Sequence, residues 1–367
     1  MSNNLVNYIQ WRGDLSFREK TFNEVDALVL CQISYLNFDG ILQSGFQSDY
    51  TISTLWQAFK SDRDFEKRSD LGVLINKDTF HVLEAAALSE RFGEIRVSSY
   101  VNKIDLESEE QFSAVTFFLT KKNRNPFVIF RGTDDTIVGW KEDFNMSFSE
   151  SVPAQKDAAF YLESIAALTR GNVTVAGHSK GGNLAVYSAV SANSRLKRRI
   201  KTVYNFDGPG FPEKFFKEKE FKAVSSRIKT FYPESSVVGM LFSHAEKYTV
   251  VKSENSGAWQ HDAVSWIIER QNFVTEKELS ASSIYFNKTF NSWIDKVEPE
   301  KLELFTETVF DALETTGAST NSQFGENLFD NFKRVLKALT GISKDTRDEF
   351  IQMGMLLFQS VRNNFKN

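Results

Sequence analysis

The stretch Val173-Thr174-Val175-Ala176-Gly177-His178-Ser179-Lys180-Gly181-Gly182-Asn183-Leu184-Ala185 restricts the fold more than any other part of the chain. Its first four residues are β-branched or small and apolar and read as a buried strand, and the residues from 183 to 192 read as a helix. Strand must turn into helix within a few residues. Gly177 and Gly181, two before and two after Ser179, leave the room such a turn needs. Around it, short runs rich in Val, Ile, Phe and Tyr at 95–101, 112–119, 127–130, 202–206, 228–232 and 248–251 read as strands, and 154–169 and 262–271 read as helices. That rhythm of strand and helix predicts a mostly parallel sheet covered on both faces, with the first two strands, joined by a brief connection, pairing antiparallel.

Upstream, residues 26–36 and 78–92 read as helices, the second followed by Gly93 where a C-cap is expected. Downstream of Phe273 the strand signal fades and helical patterns remain at 298–315, 325–339 and 346–365. The expected organisation is therefore an α/β domain over residues 1–272, including the N-terminal helices, and a helical C-terminal extension over 273–367. The extension carries an apolar stripe, Phe350, Met353, Leu357 and Val361, which is expected to pack on its own domain but suits a protein partner or a second copy of the chain.

With 48 Asp and Glu against 44 Lys and Arg, the chain has no electrostatic reason to seek a nucleic acid. No apolar run approaches the ~18 residues of a membrane span, and the polar start, Met1-Ser2-Asn3-Asn4, is not a signal peptide, so a cytoplasmic protein without a transmembrane segment is expected. The single cysteine, Cys31, lies in an apolar run and reads as a buried small hydrophobe. No His, Asp, Glu or Cys cluster has ligand spacing, so neither a metal nor a cofactor is expected.

The same stretch that restricts the fold carries the chemistry. A serine on a tight strand-to-helix turn presents its hydroxyl above the sheet edge, at the N-terminus of a helix, which is the context of a nucleophile elbow. Ser179 is the expected nucleophile. An alcohol needs a base within reach, and His is the suitable type. Of the four histidines, His81 lies upstream on a helix and His178 abuts the serine on a turn that sends the two side chains apart. His261, in Ser256-Gly257-Ala258-Trp259-Gln260-His261-Asp262 beyond the last central strand, is preferred to His244. The acid that orients the base should lie between them at a strand end. Asp207, which opens the turn Asp207-Gly208-Pro209-Gly210-Phe211, is the first choice, and Glu234, in Tyr232-Pro233-Glu234-Ser235-Ser236, the alternative. Two donors are needed for a developing oxyanion. The N–H of Lys180 is one, and Thr133, after the strand Phe127-Val128-Ile129-Phe130 and Arg131-Gly132, is the other.

Together, Phe130-Arg131-Gly132-Thr133, Trp140, Asp143 and Gly177-His178-Ser179-Lys180-Gly181-Gly182 resemble the class 3, or fungal-type, lipases of the α/β-hydrolase superfamily. The strings Trp11-Arg12-Gly13-Asp14-Leu15-Ser16-Phe17 and Gly139-Trp140-Lys141-Glu142-Asp143-Phe144, with 177–184 and 207–211, resemble more closely an uncharacterised bacterial lipase-like family of unknown function, over roughly residues 5–270. The resemblance implies an α/β-hydrolase fold and a Ser-acid-His triad, with Thr133 and Lys180 as the oxyanion hole. Two departures stand out. The strand end where the lipase pattern has an aspartate reads Pro233-Glu234-Ser235-Ser236. The flap region after Thr133 is short and charged at its start, unlike a cover adapted to oil droplets. The expected activity is thus hydrolysis of a small-molecule acyl ester through an acyl-enzyme. The alternative is a catalytically silent scaffold that binds a partner through its C-terminal helices.

Overall fold

The computed structural model describes residues 3–43, 45–46, 50–71, 76–120, 124–134, 136–294 and 297–314, with Asp348. The sequence-predicted helices at 325–339 and 346–365, and the apolar stripe on the second, lie outside the described residues apart from Asp348.

Five helices open the chain: α1 (Leu5–Arg12), α2 (Glu24–Ile33), α3 (Ile52–Lys60), α4 (Phe65–Ser69) and α5 (Thr79–Leu88). The first three each begin at an Asn or Thr whose side chain accepts the N–H three residues on, so the first free donor is satisfied locally. Nine of the ten residues of α2 are buried, Cys31 among them, and Arg91 forms a fully buried ion pair with its Asp26 at 2.6 Å. Helix α5 stops sooner than the sequence suggests. Its C-cap is Ser89, whose hydroxyl donates to Ala86 O, and Gly93 lies four residues beyond.

The strands β1 (Arg96–Asp105), β2 (Glu110–Phe118) and β3 (Phe127–Phe130) pair antiparallel in sequence. Then follow α6 (Ile137–Asn145), α7 (Pro153–Leu168), β4 (Val173–His178), α8 (Lys180–Ser191), α9 (Ser194–Arg199), β5 (Ile200–Phe206), α10 (Glu213–Lys217), α11 (Lys219–Lys222), β6 (Ile228–Pro233) and β7 (Tyr248–Val251). Strands β3 to β7 are parallel. The short β8 (Ile268–Glu269) and β9 (Asn272–Phe273) form a hairpin, and β10 (Thr275–Glu276) closes the main sheet, whose order is β1-β2-β3-β4-β5-β6-β7-β10. Two helices follow, α12 (Ala281–Ile294) and α13 (Pro299–Glu314).

Val, Ile and Phe on one face of the sheet pack with the N-terminal helices around Leu28, Phe38, Phe92 and Trp266, and on the other face Val128, Phe130, Val175 and Val203 pack against α7 and α8. Helices on both faces of a mostly parallel sheet give the α/β-hydrolase fold that the sequence implies. One expected helix is absent. Residues 262–271 are one short 3₁₀ turn and an extended run, because the Asp262 carboxylate accepts the N–H of Val264 and the backbone beyond it pairs instead with Lys252 and Ser253.

Candidate active site

Strand β4 lies in the middle of the parallel sheet, and its register pairs Phe130 with Gly177 on one side and His178 with Phe206 on the other. The residues just past β3, β4 and β5 therefore share the carboxyl edge of the sheet, where clefts form in open parallel sheets. Thr133, Ser179 and Asp207 come from those three loops.

Ser179 sits between β4 and α8 with φ 58° and ψ −136°, a conformation that L-residues rarely adopt. Two glycines permit the turn. A Cβ on Gly177 would lie 2.0 Å from the carbonyl oxygen of Gly181, and one on Gly181 would lie 2.1 Å from that of Phe130, backbone against backbone. The Ser179 side chain is partly exposed, and its hydroxyl makes no hydrogen bond among the described contacts.

Asp207 is wholly buried at the end of β5. One carboxylate oxygen lies 2.6 Å from Nδ1 of His261, and the other accepts the Ser236 hydroxyl at 2.5 Å. The His261 ring stacks on that of His178, the neighbour of Ser179, with centroids 4.6 Å apart and planes at 30°. His178 is held at both nitrogens. Nε2 donates to the His261 carbonyl at 2.9 Å, since a carbonyl can only accept, which leaves Nδ1 to accept the Tyr35 hydroxyl at 2.8 Å. Burial, and next the nearby His261, hold the His178 pKa well below the usual histidine range, so it is a neutral ring. Of the two carboxylates that the sequence offers as the orienting acid, Asp207 meets His261. The described partners of Glu234 are backbone ones, its N–H donating to Val251 O and its carbonyl accepting from Ser280 N. Ser236, two residues on, supplies a hydroxyl to the Asp207 carboxylate instead. His244 bonds Tyr232 at 2.7 Å instead, and the half-exposed His81 lies beside Glu84.

Thr133 lies three residues past β3, and its hydroxyl donates to Asp143 of α6 at 2.5 Å. Lys180, the first residue of α8, has a side chain 1% exposed whose ammonium donates to Glu142 and to Gln111 O, both at 2.9 Å, and stands 3.6 Å from Asp143. The last three residues of the segment that reads as a flap, 137–139, are the first turn of helix α6. Sequence reasoning missed His178 and Tyr35 as supports for His261, and the Lys180 ammonium as a tie to α6. The available signals were a charge directly after Ser179 and two adjacent acids, Glu142 and Asp143, with no obvious partner.

Among the described residues no group of His, Cys, Asp and Glu could hold a metal ion, and no helix is long and apolar enough to cross a membrane. A family model described as Mbeg1-like matches residues 86–311. No curated protein matches the chain. Among solved structures, the chain is similar to M37 lipase, at 14% identity with a TM-score of 0.36, covering 60% of this chain and 70% of that one. It is also similar to a triacylglycerol lipase from Penicillium expansum, at 11% identity and a TM-score of 0.32, covering 44% of this chain and 71% of that one. A third is the Rhizomucor miehei lipase propeptide complex, at 17% identity and 0.33, covering 55% and 66%.

Proposed function

The chain belongs to the Mbeg1-like family, and we propose that it is a serine hydrolase that cleaves a carboxylic ester through an acyl-enzyme. Ser179 attacks the ester carbonyl while Nε2 of His261 takes the hydroxyl proton. The imidazolium returns that proton to the leaving alcohol as the carbon–oxygen bond breaks. A water, deprotonated by the same nitrogen, then releases the acid and restores Ser179. Asp207, bonded to Nδ1, fixes the tautomer that leaves Nε2 free as the acceptor and stabilises the imidazolium. The N–H groups of Thr133 and Lys180 receive the oxyanion.

The observation that carries this reading is the 2.6 Å contact between a wholly buried carboxylate and the His261 ring, which stacks on His178, the neighbour of the serine with the strained elbow backbone. The reading requires that Ser179 and His261 come within hydrogen-bond distance once substrate is bound, a tightening common between free and loaded sites. A fluorophosphonate probe tests the reading: wild type should label at one position, Ser179, and Ser179→Ala should not label. A wild-type chain inert to the probe, and to p-nitrophenyl and thioester substrates of varied acyl length, would leave the scaffold alternative in its place.

A further inference from the structure

The two proposed oxyanion donors come from separate segments, the loop after β3 and the first turn of α8, so something must set their spacing. The side chain of one donor reaches the support of the other. The Lys180 ammonium donates to Gln111 O and Glu142 and lies 3.6 Å from the neighbouring Asp143, which in turn accepts the Thr133 hydroxyl. Glu142 is 0% exposed, and besides Lys180 it accepts the N–H of Gln111 at 3.1 Å and of Ala154 at 2.8 Å, which ties α6 to β2 and to the start of α7. The outer face of α6 is held as well. Lys141 pairs with Glu109 at 2.6 Å and with Glu307 of α13 at 2.9 Å, and Phe144 meets Phe310 edge to face at 5.8 Å.

We propose that Lys180 is a positioning residue as well as an oxyanion donor: its ammonium, clamped on Glu142 and Asp143, locks α6 and the Thr133 loop against the nucleophile turn, so the hole is formed in water and the substrates are dispersed esters. The inference rests on the hydrolase reading above. A helix whose buried Glu142 and part-buried Asp143 neutralise a buried lysine cannot swing away without leaving that cation buried and unpaired, and so does not serve as a flap that a lipid surface opens. Burial opposes the charge on Lys180, yet Glu142 and Asp143 raise its pKa above the ordinary lysine value, so the cation persists. Burial pushes Asp143 up to about 6, with Lys180 and the Thr133 hydroxyl pulling it back.

Removing one partner would strand a buried charge, so the test uses the neutral pair Lys180→Met with Glu142→Gln, with melting followed to confirm folding. Labelling of wild type by fluorophosphonate is measured first, and its failure would remove the hydrolase reading and this inference together. Given labelling, wild type should turn over p-nitrophenyl butyrate with no rate jump at the ester's solubility limit. The folded double variant should lose about 10- to 100-fold in kcat, with KM within about twofold, because the hole acts in the transition state. A folded double variant with wild-type kcat, or a wild type that jumps at the solubility limit, overturns the proposal. Should the variant not fold, hydrogen exchange on wild type decides. Amides of α6 should exchange as slowly as those of α8 with and without phosphatidylcholine vesicles, and selective opening of α6 on the vesicles overturns the proposal.

Discussion

A carboxylate beside an imidazole is useful only if it stays still, and Asp207 is held by three elements at once. Its N–H donates to Phe231 O at 2.8 Å, one side-chain oxygen takes the Ser236 hydroxyl, and the other meets His261. Glu234 lies on the same edge of the sheet, two residues before the serine that serves Asp207. We therefore expect Asp207→Asn to lower kcat about ten-thousand-fold with little change in melting temperature, since the amide would hold His261 in the wrong tautomer. Steady-state kinetics on a p-nitrophenyl ester checks this, and a comparable collapse in Glu234→Gln with a mild Asp207→Asn would transfer the role. The sequence offered these two positions for the proposed acid. It could not choose between them because both follow a strand, and the choice depends on which loop His261 reaches from 54 residues away.

Elements that alternate strongly were legible: β3 and β7 begin and end where their apolar runs do, and α7 differs from its sequence reading by a residue at each end. Segments governed by single side-chain bonds were not. The run 262–271 has apolar spacing fit for a helix, but the Asp262 side chain captures a backbone donor and Trp266 is drawn into the core, with its indole N–H donating to Gln260 O at 2.8 Å. Helix α6 is not among the helices read from the sequence, and it is held by side-chain bonds of Glu142 to Lys180, Gln111 and Ala154 that no local pattern shows. The turn from β4 to α8 yields a prediction at this scale. Because the Cβ of Gly181→Ala would press on the Phe130 carbonyl, and backbone cannot rotate aside, that variant should lose about 1–3 kcal/mol or more in a denaturant titration. A variant as stable as wild type would mean that β3 and α8 can part without cost.

Across the whole molecule, the described C-terminal helices are woven into the edge that carries the candidate site. Ser283 of α12 donates to Ser236 O, Asn287 to Met240 O at 2.7 Å and Asn291 to Phe242 O at 2.9 Å, while Leu279 and Phe286 share an apolar cluster with Tyr232, Met240 and Val250. Helix α12 thus holds the loop that holds Asp207, and α13 holds α6. A chain ending at residue 279 should melt at a lower temperature, because burying Phe286 alone is worth about 1.5–3 kcal/mol, and should label more slowly as the Ser236 loop loosens. Calorimetry and the labelling rate check both, and a truncated chain that matches the full one in each would make these helices dispensable. The sequence by itself determined the strand-and-helix order and the serine turn, because hydrophobic period and glycine spacing are local properties of the chain. Only the tertiary structure decided which carboxylate meets His261, the neutral His178 stacked on that ring and the Lys180 tie to α6, because each is a contact between residues far apart in sequence, made by side chains whose partners no local pattern specifies.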